Sequence, residues 1–417
     1  MSSVAPSRWT DGSMERRLRG RYAAERRFRF LGLLAIGLSV AFLAFLLVSM
    51  AWRGLGGFTQ TEAKVAIDFP RSDLILDPAV LKGPEARQAV ASTDFESVLS
   101  QAVTANYGEQ ANELFGGAAA RVLGKALIAD PGLLSRRAEL WLPVASPFDV
   151  AAKSKGSPDA ERLVAAIDAK DGLKRRFNSD FLSASDATDP GEVGVWGALK
   201  GSFLTIVVTM GLAFPIGVLA ALYLEEFAPR NRWTDLIEVS INNLAAVPSI
   251  IFGLLGLAVF LNFMHLPRSA PLVGGLTLAL MTMPVIVIAG RNAIKSVPPS
   301  IRDAALGVGA SKMQVVFHHV LPLALPGILT GTIIGMARAL GETAPLLMIG
   351  MRAFIATPPQ GITEPASVLP VQIFLWSDEV GRGFVEKTSA AIIVLLIFML
   401  LMNGLAIYLR NRFEQRW

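Results

Sequence analysis

Residues 299–350 decide the fold of this chain: PSIRDAALGVGASKMQVVFHHVLPLALPGILTGTIIGMARALGETAPLLMIG. The first half of the stretch is polar, and Ser300 with Asp303 three residues later predicts a capped helix start. The second half is apolar but contains Arg338 and Glu342, four residues apart. Because a charge inside a membrane segment is costly, this pair is a functional hypothesis from the outset.

The overall composition favours a membrane protein. Of the 417 residues, 52% are hydrophobic and 18% are charged, whereas soluble domains carry about 25% charged residues. The absence of Cys excludes disulfides and thiolate metal sites, and three His leave little for an imidazole site. The formal net charge of +5 accompanies arginines that flank apolar segments, so membrane topology explains it better than nucleic-acid binding. Neither a metal site nor a nucleic-acid partner is expected.

Six apolar stretches reach the roughly 20 residues that a helix needs to cross a bilayer. They are residues 31–52, 201–224, 240–266, 269–290, 320–350 and 388–409. An even number of spans places both termini on one side. Arginines cluster from Arg16 to Arg29 and from Arg410 to Arg416, and because positive charge stays inside, both termini are expected in the cytoplasm. The first stretch is longer than the core of a signal peptide, so a retained anchor is expected.

The chain therefore divides into four predicted parts. They are a basic cytoplasmic tail (1–30), a first transmembrane helix (31–52), a periplasmic domain (53–195) and a five-helix membrane core (196–417). The predicted fold class is an all-α polytopic membrane protein with an inserted periplasmic α+β domain.

The segment 53–195 is long enough to fold as a domain. The partly alternating run 63–69 predicts a strand, and helices are expected at residues 86–105, 110–127 and 159–178. The segment contains no His, and its Asp and Glu residues are scattered, so no catalytic residues are expected. A mixed domain that packs on the membrane core is the favoured interpretation, with docking of an external partner as the alternative.

Polar and helix-breaking residues interrupt two of the predicted spans. Asn242, Asn243 and Pro248 lie inside the third, where Pro frees a backbone carbonyl that neighbours or a water-lined path must satisfy. A tolerated kink and a pore-lining segment both remain open. Gly341 and Pro345 predict a break in the fifth span, where free backbone N–H groups can meet an anion.

The loop before the fifth span resembles the EAA motif of binding-protein-dependent ABC importer permeases. The motif reads EAA, three residues, Gly, nine residues, Ile, one residue and Leu-Pro. The corresponding residues here are Asp303, Ala304, Ala305, Gly309, Leu321 and Pro322. Asp303 replaces the usual Glu, a conservative change near a helix N-terminus, and His319 stands at the usual Ile position.

This resemblance implies that residues 299–319 form a coupling helix that sits in a groove of an ATPase subunit. The residues expected to serve this coupling are Arg302, Asp303, Ala304, Ala305 and Gly309. The chain has no G-x-x-x-x-G-K-[ST] stretch. It is therefore not expected to be an enzyme or to bind a cofactor, and ATP hydrolysis is assigned to a partner.

A narrower resemblance points to phosphate-uptake permeases. Residues 337–345, ARALGETAP, look like the ARAxGETAP signature of that family, and residues 243–254, NLAAVPSIIFGL, are similar to a second block of it. The resemblance covers roughly residues 195–415, and of the two homologous permease subunits it is closer to the PstA type. The segment 53–195 looks like the extra N-terminal external domain of some members.

The resemblance implies a permease subunit of an ATP-driven importer of inorganic phosphate in the bacterial inner membrane. Its implied partners are a second homologous permease, two copies of an ATP-binding subunit, a periplasmic phosphate-binding protein and membrane lipid. Import of another oxyanion, such as phosphonate or sulfate, and a phosphate-sensing regulatory role are the alternatives. An ion-coupled secondary transporter is disfavoured by the coupling-helix spacing.

The predicted substrate path contains Arg338, Glu342 and Thr343. Arg suits phosphate because its planar fork donates two parallel hydrogen bonds and remains charged. Arg338 and Glu342 lie on one helix face because they are four residues apart. Two interpretations remain open: an ion pair that aids assembly, or an arginine that attracts the oxyanion while the glutamate moderates its grip.

Overall fold

The computed structural model describes residues 12–413, apart from 73 and 155, and the chain divides between Arg53 and Gly54 into two compact units. Among the described residues, the first unit consists of one continuous helix, α1 (Gly12–Gly54), whose last residue already belongs to the second unit. The 43 residues of α1 measure about 65 Å at about 1.5 Å per residue, roughly twice the hydrocarbon thickness of a bilayer. The predicted basic tail is thus helical from Gly12 onward, and its residues 1–11 lie outside the described part.

The predicted strand near residue 63 is present as the centre of a three-stranded antiparallel sheet in the order β2-β1-β3. The strands are β1 (Thr59–Asp68), β2 (Arg137–Pro143) and β3 (Leu173–Phe177). Alternate residues Ala63, Val65 and Ile67 are buried, which is the period-two pattern of a strand with one buried face. Leu99 and Leu123 pack with Val65 in the same core.

Short helices complete the 53–195 segment. They are α2 (Pro78–Leu81), α3 (Ala86–Ala91), α4 (Glu96–Tyr107), α5 (Gly117–Ala129), α6 (Ser146–Lys153), α7 (Pro158–Asp168) and α8 (Ser179–Ser183). The helix predicted at residues 159–178 is wrong beyond Asp168. Asp171 has a positive φ of 54°, and the chain then enters β3, where Phe177 pairs with Thr59. Pairing with β1 outweighs the helix propensity of the Lys and Arg residues in β3.

Helices make up most of the described residues from 196 onward, and the longest irregular stretch among them is residues 349–368. These helices are α9 (Trp196–Leu222), α10 (Arg232–Ala245), α11 (Ser249–Gly256), α12 (Pro271–Lys295), α13 (Pro299–Gly307), α14 (Lys312–Gln314), α15 (Leu321–Gly341), α16 (Ala344–Met348), α17 (Leu369–Asp378) and α18 (Arg382–Phe413). Wider π-helical turns extend α9 to Phe227 and α11 to Phe263, and another joins α14 to α15. In the described part, five helices are long and apolar enough to cross a membrane, and a bent pair can supply a sixth crossing. The predicted polytopic helical class is confirmed.

The bent pair replaces the single straight span predicted at residues 240–266. The axes of α10 and its successor differ by 101°, because the chain turns between Ala246 and Pro248. Ala246 and Val247 donate to carbonyls three residues back, and Pro248 has no N–H with which to continue the helix. The predicted interruption is confirmed, and it is much sharper than a kink.

Helix α12 forms the centre of the membrane core, packed between α9 and α15. Small residues permit this packing. A Cβ on Gly275 would lie 2.5 Å from Val208, and one on Gly331 would lie 2.1 Å from Ala289. These glycines are required by close backbone approach, as in other membrane helix pairs.

A buried ionic cluster joins the 53–195 segment to the last helix. Lys153 Nζ lies 2.6 Å from Asp149 and 3.6 Å from Glu386, and its side chain is only 5% exposed. It also donates to the carbonyls of Gly56 and Thr59, at 2.9 and 2.6 Å. One side chain therefore ties together α6, α18 and the turn that leads into β1.

An aromatic group extends this junction. The rings of Phe181 and Trp376 are 6.4 Å apart, and those of Trp376 and Phe384 are 6.3 Å apart. Trp376 Nε1 donates to Asp186 Oδ1 at 3.0 Å. The segment is thus packed on the membrane core, as the favoured interpretation of the sequence predicts.

Replacing Lys153 with Met should cost about 3–5 kcal/mol of unfolding free energy, because two mostly buried carboxylates lose their nearby cation and two carbonyls lose a charged donor. The matched control is Lys125→Met, since Lys125 pairs with Asp180 at 3.1 Å but is 63% exposed. That pair should contribute at most about 1 kcal/mol. Thermal and denaturant unfolding of the purified protein in detergent measures both. Equal losses in the two variants would contradict the role given to the buried cluster.

Candidate functional site

The predicted Arg338–Glu342 pair forms at the C-terminal end of α15. Arg338 Nε lies 3.4 Å from Glu342 Oε1, and the two side chains are 43% and 19% exposed. Glu342 caps the helix, with its N–H donating to the Ala339 carbonyl at 3.3 Å. The pair is therefore held where regular helix stops.

The predicted break in the fifth span is confirmed. Helix α15 ends at Gly341 and α16 begins at Ala344, so Glu342 and Thr343 form the interruption. Thr343 is half-buried, and its carbonyl accepts from the Leu347 N–H at 3.0 Å. The three predicted path residues thus lie together at one broken helix end.

The two blocks that resemble phosphate permeases contact each other. Gly253 of α11 sits so close to α16 that a Cβ on it would lie 2.7 Å from Pro345 Cα and 2.9 Å from Met348 Cβ. Residues 243–254 and 337–345 therefore meet, although about 90 residues separate them along the chain. Each block contains a helix break, so two interrupted helices are packed side by side.

One face of α15 is left open within this chain. Ile334 and Arg338 are exposed, and a Cβ on Gly341 would have no atom within 4 Å. The opposite face is buried, with Gly331 and Gly335 against α12. The arginine accordingly lies on a surface where a second subunit or a solute can reach it.

The helix predicted near Ser300 is present, but its predicted capping by Ser300 and Asp303 is wrong. Helix α13 begins at Pro299, its N-cap is Pro298, and no side chain caps it. Proline at the first helical position has no N–H to satisfy, which reduces the need for a cap. The capping box of this region is instead formed by Ser311 and Gln314, at the start of α14.

The predicted coupling segment 299–319 is consequently two pieces joined by a tight turn. Gly309 in that turn has a φ of +88°, which an L side chain adopts only with strain. Asp303 and Ala304 are exposed, whereas Ala305 is buried against the core. Exposed apolar side chains lie on the same segment: Leu306, Val308 and Met313. Together they form a surface suited to contact with another protein.

Arg302 does not point outward with its neighbours. Its Nε and Nη2 atoms donate to Glu226 Oε1 at 3.1 and 2.8 Å. Its Nη1 and Nη2 atoms donate to the carbonyls of Val297 and Ile294 at 2.6 and 3.0 Å. The Arg302 side chain therefore makes its hydrogen bonds within this chain.

Two family models match the chain in separate regions. "Binding-protein-dependent transport system inner membrane component" matches residues 213–417. "Domain of unknown function (DUF3333)" matches residues 15–162. The first region contains both interrupted helices and the coupling segment, and the second contains α1 and much of the 53–195 segment.

Relatives of known name match the same membrane core. The probable ABC transporter permease protein YqgI of Bacillus subtilis (strain 168) is 31% identical over 211 residues, which cover 48% of this chain and 71% of that protein. The phosphate transport system permease protein PstA of Yersinia pestis is 32% identical over 215 residues, which cover 51% and 71%. This chain belongs to the binding-protein-dependent ABC importer permeases. The permease is accordingly a membrane transport component, and the family predicted from its motifs is confirmed.

Solved structures also resemble the permease. An inward-facing conformation of the MetNI methionine ABC transporter has 19% sequence identity and a TM-score of 0.43, and the match covers 53% of this chain and 98% of that chain. A bacterial ABC transporter involved in the import of the acidic polysaccharide alginate has 18% identity and a TM-score of 0.39, with coverage of 52% and 79%.

Part of the charged structure of the permease was not predicted from its sequence motifs. Arg291 Nε donates to Glu225 Oε1 at 2.6 Å, and its Nη2 lies 2.7 Å from Glu238 Oε2. Glu225 and Glu226 lie in a π-helical turn that directly extends α9. Two adjacent acids directly after an apolar span were the available signal. Among the described residues, no group of three or more His, Asp or Glu side chains could hold a metal ion.

Gly309→Ala should destabilise the turn after α13 by about 1–2 kcal/mol, the cost of a left-handed conformation for an L residue. Gly307→Ala is the matched control: both positions have open space for a Cβ, but only Gly309 has a positive φ. Hydrogen exchange of the purified permease should show faster exchange across residues 299–314 for Gly309→Ala alone. Equal protection in both variants would show that the turn does not require glycine.

Proposed function

We propose that this permease subunit belongs to an ATP-driven importer of inorganic phosphate and forms the translocation path with a second, homologous permease. The observation that carries the proposal is the Arg338–Glu342 pair, placed at a helix break on an open face of α15. Relatives named as phosphate transport system permeases in Yersinia pestis and Haemophilus influenzae support the choice of anion.

The pair has the chemistry for transient capture of an oxyanion. In the described part of the chain, the only hydrogen bond or ion pair of the Arg338 side chain is the one from Nε to Glu342, which leaves the two Nη atoms to donate a parallel pair of hydrogen bonds to phosphate. Glu342 offsets part of the positive charge, so the anion is held weakly enough to leave, as conduction requires. Thr343 would add a hydroxyl beside the same break.

The coupling segment would receive the motion of an ATP-binding subunit, of which the complete transporter would contain two copies. Asp303, Ala304 and Gly309 lie on its exposed side together with Leu306 and Val308. An apolar patch with one acid fits a groove on a partner protein better than it fits lipid. A substrate-binding protein would deliver phosphate to the opposite membrane face.

The division of the chain follows from this assignment. Residues 1–30 would form a basic cytoplasmic element, 31–52 the first transmembrane helix, 53–195 a periplasmic domain and 196–417 the permease core surrounded by lipid. Both termini would lie in the cytoplasm, because the flanking arginines favour that side.

Arg338→Gln should lower phosphate uptake about tenfold or more at limiting substrate, because the charge-assisted hydrogen bonds to the anion are lost. Arg338→Lys keeps the charge without the fork and should retain an intermediate rate. Radiolabelled phosphate uptake is measured in cells that depend on this importer, alongside subunit assembly. Arg162→Gln is the matched control, since Arg162 is strongly exposed on α7. Normal uptake by an assembled Arg338→Gln transporter would refute the role of this arginine.

Competition identifies the anion itself. Unlabelled phosphate in excess should suppress uptake of the label, whereas sulfate or a phosphonate at the same concentration should leave it unchanged. Stronger suppression by sulfate or a phosphonate than by phosphate at the same concentration would overturn the assignment to phosphate and leave the permease as an importer of that anion.

A further inference from the structure

Four hydrogen bonds from the single side chain of Arg302 hold the coupling helix α13 to the membrane core. Arg302 is 22% exposed and its partner Glu226 is 10% exposed. All three guanidinium nitrogens donate, two of them to Glu226 and two to the carbonyls of Ile294 and Val297 at the end of α12. A planar, always-charged fork is the side chain that can serve these acceptors together.

A second arginine fastens the neighbouring helices. Arg291 near the end of α12 is paired with Glu225 after α9 and with Glu238 of α10. Glu225 and Glu226 are adjacent, so one helical turn receives an arginine from α12 and an arginine from α13. Charges this poorly hydrated persist only when they are paired, and each of these is.

Apolar packing lies beneath the two arginines. Ala305 of α13 is buried in one cluster with Ile294 of α12 and with Val297, which follows that helix. Ala221 and Leu222 of α9 belong to the same cluster. The coupling helix is thus held to α9 and α12 by ion pairs and by a shared core. This arrangement favours motion of these elements as one body.

We propose that Arg302 is a positioning residue that makes α13 and the adjoining ends of α9, α10 and α12 a rigid coupling block, and that it does not contact the ATPase. Motion of α13 then reaches α10 through two linked ion-pair groups. Arg302 of α13 pairs with Glu226, and the adjacent Glu225 pairs with Arg291. Arg291 in turn pairs with Glu238 of α10. Helix α10 continues through the bend at Pro248 into α11, which packs on α16 beside the Arg338–Glu342 pair. A continuous set of contacts thus connects the coupling surface to the broken helix end.

This inference rests on the proposed function only in that an ATPase moves α13. The chain has no Cys, so two introduced cysteines can carry a pair of spin labels. Ser300→Cys on α13 and Leu219→Cys on α9 are both at exposed positions. Pulsed electron spin resonance of the reconstituted complete transporter, without nucleotide and with ATP plus vanadate, then reports their separation in two states.

With Arg302 present, the separation should be the same in both states. In Arg302→Gln it should change with nucleotide or broaden, and anion transported per ATP hydrolysed should fall about fivefold or more, the scale of a lost coupling free energy. Arg302→Lys keeps the charge but loses part of the fork. Its transport per ATP should therefore lie between those of the unsubstituted protein and Arg302→Gln. The control is Arg232→Gln, the same substitution at an exposed position of α10, which should match the unsubstituted protein.

Two results would overturn the proposal. One is an unchanged separation together with unchanged transport per ATP in Arg302→Gln. The other is weaker co-purification of the ATPase with Arg302→Gln, which would make Arg302 a contact to the partner. The distance between the spin labels is measured without a transported solute. A wrong choice of anion would therefore show in the competition assay and would not change this distance.

Discussion

Backbone N–H and C=O groups inside a bilayer must be satisfied by the protein itself, and this constraint shapes the permease around its two interrupted helices. The break at Pro248 and the break at Glu342–Thr343 each free backbone groups. Neither interrupted helix faces lipid alone, because α11 and α16 pack on each other with Gly253 against Pro345. The breaks are tolerated because they are paired, and that pairing brings Arg338 to a face of α15 that the rest of this chain leaves uncovered.

The buried charged side chains near α13 must likewise find partners within the protein. Arg291, Arg302, Glu225 and Glu226 are all mostly buried, and unpaired they would destabilise the fold. Their mutual pairing has a geometric consequence, since each ion pair connects two different helices. Apart from Ser300 and Asp303, the exposed residues of α13 have small or apolar side chains, which suit a protein contact. Arg302 thus anchors α13 to the core, while its neighbours in sequence form the exposed surface for a partner protein.

The sequence predicted those features whose cause is local. The spans follow from hydropathy, the break near Gly341 from Gly and Pro, and the strand β1 from its alternating residues. The sharp bend at Pro248 was predicted only as an interruption, because its angle is set by packing of α11 on α16. The ion pairs of Arg291 with Glu225 and of Arg302 with Glu226 were missed because these partners lie 66 and 76 residues away. The helix predicted at 159–178 failed because pairing of β3 with β1 is likewise long-range.

The junction between the 53–195 segment and the core is the clearest case of long-range contacts that local sequence patterns do not predict. Residues 186–191 have the composition of a flexible linker, yet Asp186 accepts a hydrogen bond from Trp376 and Asp189 accepts one from the Gly191 N–H at 2.6 Å. Lys153 reaches Glu386 across 233 residues of chain, a distance along the sequence that no local pattern encodes. Because these contacts are buried and charged, the segment and the last helix are held as one folded body. A partner that binds the segment would therefore act on α18 directly, without an intervening flexible tether.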